Sequence, residues 1–253
     1  MKIAIPSYKR PQTLQRKTLK LLRREGFDAK DITVFVASEE ERAEYQKYLI
    51  PEYSPALVVG EPGIHRQRRF MHSYYPSGTL LLCIDDDISS IKRPYQKQDP
   101  LPALLERCFQ IADSKGCNLW GIQPTSDGRC LKDQMVVGLR YIPGGLYGLK
   151  TGLDVTYPYP CVEDFMRTIE HYKADGKVMR FDGMGLVTQS FKEPGGLQAP
   201  DVNRAGVQLE QMKWLAETYP EYVVMRKKHL LDDVRFRVRT ELRVAAPFSA
   251  ENV

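Results

Sequence analysis

A chain of 253 residues suffices for one large α/β unit or for two small domains. With 42% hydrophobic and 27% charged residues it has ordinary globular composition, which excludes a disordered, collagenous or coiled-coil chain. The formal net charge of +5 suits contact with phosphates and equally suits an ordinary soluble enzyme, so charge alone selects neither.

The first half alternates two periodicities. Lys2–Ser7, Ile32–Ala37, Ala56–Val59 and Thr79–Ile84 are short apolar runs that read as strands, and Thr13–Glu25, Glu39–Leu49 and Ile64–Tyr75 between them read as amphipathic helices. That alternation describes crossover units on a parallel sheet covered on both faces. In the first helix Leu14, Thr18, Leu21 and Leu22 make a buried stripe and Arg16, Lys17, Lys20, Arg23 and Arg24 a basic face, with Gly26 closing the helix. A helix over Leu101–Ser114 and a strand over Asn118–Ile122 follow, then a glycine-rich stretch, Gly138–Gly152. The remainder predicts a helix Val162–Tyr172, a strand Val178–Asp182, a long functional loop Lys192–Arg204, a helix Gly206–Tyr219, a strand Tyr222–Met225 and a basic terminus. The predicted class is α/β: one domain over 1–253, with a mostly parallel central sheet flanked by helices.

Cys83, Cys108, Cys117, Cys130 and Cys161 are odd in number and lack the spacing of a zinc or redox pair, so they read as reduced thiols. The run Ile3-Ala4-Ile5 stops at Pro6, too short for a secretory leader, and Leu80–Ile84 ends in three aspartates and cannot cross a bilayer. A cytoplasmic protein with no membrane and no obligate protein partner is expected.

The candidate chemistry begins at Asp85, Asp86 and Asp87, at the carboxyl end of a strand, where open α/β sheets bind ligands. On an extended strand Asp85 and Asp87 share one side, ~7 Å apart by strand rise. At an effective dielectric of ~20 they repel by about 2 kcal/mol, a cost that a divalent cation turns into a gain. The same acids also suit a solvated strand end or a helix cap. Pro6-Ser7-Tyr8-Lys9-Arg10, after the first strand, supplies a ring to stack a base and a cation to meet a diphosphate, or else only stiffens a turn. Glu163-Asp164 opens a helix, where the dipole favours acids; the sharper reading makes Asp164 the base that accepts a proton from an acceptor hydroxyl, with Glu163 orienting the helix end or a substrate hydroxyl.

From Lys2 to about His229 these motifs resemble the A-type (GT-A) nucleotide-sugar glycosyltransferases, which combine a Rossmann-like sheet, an Asp-x-Asp metal site and a later Glu-Asp pair. Ile5-Pro6-Ser7-Tyr8-Lys9-Arg10, Arg68 and Asp85-Asp86-Asp87-Ile88 are most similar to the phage and kinetoplastid glycosyltransferases associated with TET/JBP oxygenases, implicated in adding sugars to hydroxymethylated pyrimidines in DNA. The resemblance implies Mn²⁺ or Mg²⁺ and a UDP-sugar donor. It places Pro6, Ser7, Tyr8, Arg10, Ser38, Glu39, Arg68 and Asp85 on the donor, Asp86 as a secondary donor candidate, Asp87 and His229 on the metal, and Asp164 with Glu163 at the catalytic centre. It also divides the chain into a nucleotide-sugar half (1–90), an acceptor and catalytic half (91–230) and a basic extension (231–253). Lys9 and Arg69 depart from the asparagines that relatives often carry, and the Gln-x-x-Arg-Trp signature of processive synthases is absent, Trp214 following Met212-Lys213. Single-sugar transfer is therefore favoured.

Residues 1–24 hold eight Lys/Arg and no acid, and 222–243 hold seven Lys/Arg against three acids, which suits double-stranded DNA as well as two solvated faces. Tyr141, Tyr147, Tyr157 and Tyr159 are candidates to stack a flipped base. The rival readings are a transferase acting on a protein, glycan or small-molecule acceptor and a non-catalytic nucleotide-sugar or DNA-binding module.

Overall fold

The apolar runs Lys2–Pro6, Ile32–Val36 and Leu80–Ile84 form strands largely buried on both faces, as a parallel sheet requires, and Ala56–Val59 forms a partly exposed strand at the sheet edge. The computed structural model describes residues 1–188, 204–228, 231–237 and 241–248. β1 (Lys2–Pro6), β2 (Ile32–Val36), β3 (Ala56–Val59) and β4 (Leu80–Ile84) pair in parallel in the order β3-β2-β1-β4. The sheet continues through β5 (Ile88–Lys92), β6 (Leu119–Gln123), β7 (Gln134–Gly138), β8 (Leu146–Lys150), β9 (Val178–Thr188) and, beyond β10 (Val223–Lys228) and β11 (Leu231–Phe236), β12 (Leu242–Ala245). It has ten strands, ordered β12-β7-β9-β6-β8-β4-β1-β2-β3 with β5 on β9, while β10 and β11 form a separate hairpin. The pairings set β1, β2, β3, β4, β6, β9 and β12 in one direction and β5, β7 and β8 in the other. The expected α/β class with a mostly parallel central sheet is the observed one.

Alternation along the strands sends side chains into two cores. On one face Ile3, Ile5, Val34, Val36, Leu82, Ile84 and Trp120 meet Leu14 of α1 (Pro11–Leu14), Leu19 of a π-helical turn (Gln15–Leu19), Leu21 and Leu22 of α2 (Lys20–Arg24), and the apolar stripe of the helix Leu101–Ser114. On the other, Ala4, Phe35, Leu81, Cys83, Tyr147 and Leu149 meet Phe70 and Met71 of the helix Ile64–Tyr74 and Tyr172 of the helix Glu163–Asp175. With α3 (Glu39–Gln46), those three helices are α4, α5 and α6 in chain order, and α7 (Arg204–Thr218) follows. A third core joins Met166 and Ile169 of α6 to Leu215 of α7 and to Val223 and Val234 of the β10–β11 hairpin, so α6 is packed on both sides. All five cysteines are free thiols, and Cys83, Cys108 and Cys117 are buried. No helix among the described residues is long and apolar enough to cross a membrane.

The glycine-rich stretch Gly138–Gly152 is not a loop throughout: its second half is β8, hydrogen-bonded between β4 and β6. Gly148 is required there because a Cβ would stand 2.2 Å from the Trp120 ring. β5, β7, β11 and β12 carry weak strand patterns and are formed by pairing with β9, β10 and β7. The terminal segment 231–253, expected as a basic extension, is therefore woven into the fold over its described residues. The predicted loop Lys192–Arg204 lies outside the described residues except for Arg204, which begins α7.

Candidate functional site

Because β1, β2, β4 and β9 run in parallel, their carboxyl ends share one sheet edge, and antiparallel β8 begins there. The strand stops at Ile84, so the aspartates form a turn rather than the extended Asp-x-Asp expected. That turn is pinned at both ends by one buried hydroxyl. Thr18 Oγ1, on the π-helical turn, donates to the Asp85 carbonyl at 2.7 Å and accepts from Ile88 N at 3.0 Å. Asp85 N donates to the Gly145 carbonyl at 3.0 Å, tying the turn to the entry of β8.

Asp86, the secondary candidate that also suited a surface carboxylate, is instead fully buried. Arg10 Nε donates to its Oδ2 at 2.8 Å, and Ser7 Oγ donates to the same oxygen. With the Ser7 proton committed, the 2.7 Å contact between Tyr45 and Ser7 has the Tyr45 hydroxyl as donor, and Arg10 N donates to Tyr45 at 3.2 Å. Burial pushes Asp86 up to about 6 against the pull of Arg10 and Ser7. Asp87 is raised by burial and by the like charge of Asp85, against the pull of Arg10, whose Nη1 is 3.8 Å away, of a hydrogen bond with Thr188 and of Lys17. Ser7 and Arg10 thus meet the acids of the tip in place of open solvent.

Arg68 joins the two acidic motifs. It is buried on α4, with Nη2 on Asp85 Oδ1 at 2.8 Å and Nε 2.7 Å from Glu163 Oε1. Nη1 donates to the Tyr147 hydroxyl at 3.3 Å, which His72 Nε2 contacts at 2.9 Å. Gly144 makes room for this guanidinium, since a Cβ there would stand 2.9 Å from Arg68 Nη2. Glu163 is buried, and burial together with neighbouring Asp164 raises its pKa while Arg68 opposes the rise. Asp164 is half-buried on the first turn of α6; its Oδ1 accepts from Phe165 N at 2.9 Å and its Oδ2 from the Tyr141 hydroxyl.

The other donor candidates are placed less decisively. Pro6 ends β1 opposite Phe35, and Tyr8 is half-buried with Lys9 Nζ 4.8 Å from its ring centre. Lys9 has φ 56°, a left-handed conformation that asparagine tolerates better than most residues, which explains why asparagine suits this turn. Ser38 caps α3, accepting from Glu41 N at 3.3 Å, and Glu39 is exposed and paired with Arg42 at 2.6 Å. A cavity of about 390 Å³ lined by Lys9, Gln12, Glu41 and Tyr45 adjoins this turn. His229 lies outside the described residues. Among the described residues no group of three or more His, Cys, Asp or Glu is arranged to hold a metal.

The proposed stacking tyrosines are committed elsewhere. Tyr147 and Tyr157 are buried, Tyr159 packs edge-on against Trp214, and Tyr141 holds Asp164. Thr18 and Tyr45 are the site residues that sequence reasoning left without a role at the site, and Tyr141 serves Asp164 where base stacking was expected of it. Only Thr18 carried a signal, a hydroxyl in an otherwise apolar stripe.

No family model matches the chain, and no curated protein matches it. Among solved structures it is similar to glucosyl-3-phosphoglycerate synthase from Mycobacterium tuberculosis in complex with Mn²⁺, uridine-diphosphate-glucose and phosphoglyceric acid, at 10% identity over 98% of this chain and 90% of that one, TM-score 0.49. It is also similar to the inositol-1-phosphate CTP transferase of T. maritima, at 8% identity over 74% of this chain and 89% of that one, TM-score 0.41. Likenesses this distant leave the chemistry to the geometry of the chain itself.

Proposed function

We propose that the protein is a metal-dependent GT-A glycosyltransferase that moves one sugar from a UDP-sugar to the hydroxyl of a 5-hydroxymethylpyrimidine in DNA. The observation that carries the reading is Arg68, which brings the aspartate tip of the first half and the Glu163-Asp164 pair of the second half onto one guanidinium. Acids drawn from distant segments to one sheet edge are more than a solvated strand end and a helix cap.

Asp87 and Asp85 fit a divalent ion. Burial and the like charge of Asp85 raise Asp87 in spite of Arg10, Lys17 and a hydrogen bond with Thr188, so a divalent cation at the tip would relieve a carboxylate held above its ordinary range. Bound there with the donor diphosphate, Mn²⁺ or Mg²⁺ would neutralise the charge that builds on the departing UDP. Asp85 faces the donor ribose or sugar, and Pro6, Ser7 and Tyr8 border the nucleotide, with Ser38 and Glu39 beyond. Arg10 and Arg68 supply positive charge beside the diphosphate while holding Asp86 and Asp85. Asp164 accepts the proton of the acceptor hydroxyl as its oxygen bonds to the anomeric carbon; the bond from that carbon to the diphosphate oxygen breaks, with inversion. Glu163, held by Arg68, sets the start of α6.

The DNA acceptor is favoured by an exposed basic row, Arg16, Lys20, Arg23 and Arg24, on the helix whose buried Thr18 pins the tip. Lys20 and Arg23 have no ion pair among the described residues, so the row leads a polyanion toward the acids.

Duplexes carrying 5-hydroxymethylcytosine, 5-hydroxymethyluracil or neither, incubated with a panel of UDP-sugars and Mn²⁺, test this by mass analysis of released nucleosides. A hexose on the hydroxymethylated base alone is expected, and Asp164→Asn is expected to lower transfer by ~10²- to 10⁴-fold while UDP still binds. Transfer only to protein, glycan or small-molecule acceptors would overturn the DNA reading. Unchanged transfer by Asp164→Asn would remove the base.

A further inference from the structure

Tyr141 lies between β7 and β8, remote in sequence from α6, yet its hydroxyl donates to Asp164 Oδ2 while Phe165 N donates to Oδ1 at 2.9 Å. The carboxylate is thus gripped at both oxygens, from a loop on one side and from the helix backbone on the other. The Tyr141 ring is itself fixed. It packs 4.6 Å from Phe165, which lies 5.2 Å from Phe236 of β11, and Tyr141 to Phe236 is 6.3 Å. Burial and the adjacent Asp164 push the phenol well up, so it remains a proton donor to the carboxylate.

An aspartate in the first turn of a helix has two rotatable bonds and several backbone N–H groups to turn toward. A base must instead keep one lone pair aimed at the acceptor hydroxyl, and a displacement of ~1 Å can cost on the order of 100-fold in rate. Two donors at the two oxygens fix the plane of the carboxylate and leave its remaining lone pairs for the acceptor.

We propose that Tyr141 is a positioning residue that sets the orientation of Asp164 for proton abstraction. This rests on the reading of Asp164 as the base, and it extends the catalytic apparatus to a loop and, through Phe165 and Phe236, to the β10–β11 hairpin. A bond that only fastened the loop would affect stability and donor binding together; a positioning bond affects turnover alone.

The test compares Tyr141→Phe with Asp164→Asn, using UDP-glucose, Mn²⁺ and a 5-hydroxymethylcytosine duplex as probes. Tyr141→Phe is expected to lower kcat by about 10- to 100-fold with KM for UDP-glucose changed by less than about twofold and the melting temperature retained. Wild-type kcat in Tyr141→Phe beside an inactive Asp164→Asn overturns the positioning role alone, whereas an active Asp164→Asn overturns the base on which it rests. A joint change in kcat, KM and melting temperature also overturns positioning. Should Tyr141→Phe fail to fold, or the probe not turn over, the tyrosine Cζ carbons of ¹³C-labelled wild type and Asp164→Asn give the decision without catalysis. One resonance displaced by Asp164→Asn supports the contact, and an unchanged set overturns it.

Discussion

In the aspartate tip the middle acid is sealed: Asp86 is fully buried against Arg10 and Ser7, while the Asp85 side chain beside it is 31% exposed. In the helix pair the first acid is sealed, Glu163 lying in the interior against Arg68, and Asp164 is half-buried. Each motif therefore seals one carboxylate against an arginine, Asp86 against half-buried Arg10 and Glu163 against buried Arg68, and leaves a more exposed neighbour, Asp164 or Asp85, the latter also paired with Arg68. The scaffolds differ. The tip is held through its own backbone groups, the Asp85 amide on Gly145 and the Asp85 carbonyl and Ile88 amide on Thr18, whereas Asp164 is held by its carboxylate, from a tyrosine side chain of another loop and from the Phe165 amide. On the proposed roles, a metal-binding edge tolerates little movement of the main chain and a base needs control of one carboxylate plane, and each of these two constraints matches its proposed role.

Arg68 is where the two regions meet, and its removal is the strongest way to break the comparison. Arg68→Met would leave Glu163 buried and unpaired and release Asp85, at a cost of about 3–5 kcal/mol. Thermal or urea unfolding measures this; a loss under ~1 kcal/mol would show that the two acids do not depend on a common cation.

A smaller effect separates the sealed acids from their neighbours by pH. Glu163 is raised in the folded chain by burial and by Asp164, and Asp86 is raised to about 6 by burial. A raised folded value means that the contribution to stability is present below the unfolded carboxylate range, ~4, and is lost as pH rises through the folded values. Over about pH 4 to 7 this loss runs against buried His72 and His171, whose burial-lowered values add stability as pH rises, so the readout is the difference between chains: the metal-free Glu163→Gln variant is expected to lose less stability, or gain more, across that range than the wild type. Urea midpoints across this range check it, and a slope unchanged in Glu163→Gln would place the proton elsewhere.

The mildest change touches only the approach to the tip. Lys20→Ala with Arg23→Ala should leave donor binding and folding unchanged, and should reduce the slope of log affinity for duplex DNA against log salt by ~1 to 2. A slope equal to that of the wild type would take the basic row out of the acceptor surface.

Much of this was legible before the fold was known. The strands β1 to β4, the helix stripes Leu14, Thr18, Leu21 and Leu22 and Leu101–Ser114, and the strand-end position of Asp85 to Asp87 follow from periodicity, since a stretch buried on both faces has few ways to be written. β8 was not legible, because Gly148 is a response to Trp120, a neighbour brought alongside only by the sheet. The burial of Asp86 and the bond from Tyr141 to Asp164 were hidden for the same reason.

The amino-acid order by itself determined the α/β class, the sheet edge carrying the acids and the basic face beside them, because hydrophobic spacing and local charge are properties of neighbours along the chain. Only the tertiary structure decided which acid of each motif is sealed by an arginine and which is accessible, because burial and ion pairing depend on groups far apart in sequence. Arg10 and Arg68 carry no mark in their own segments of the carboxylates they hold.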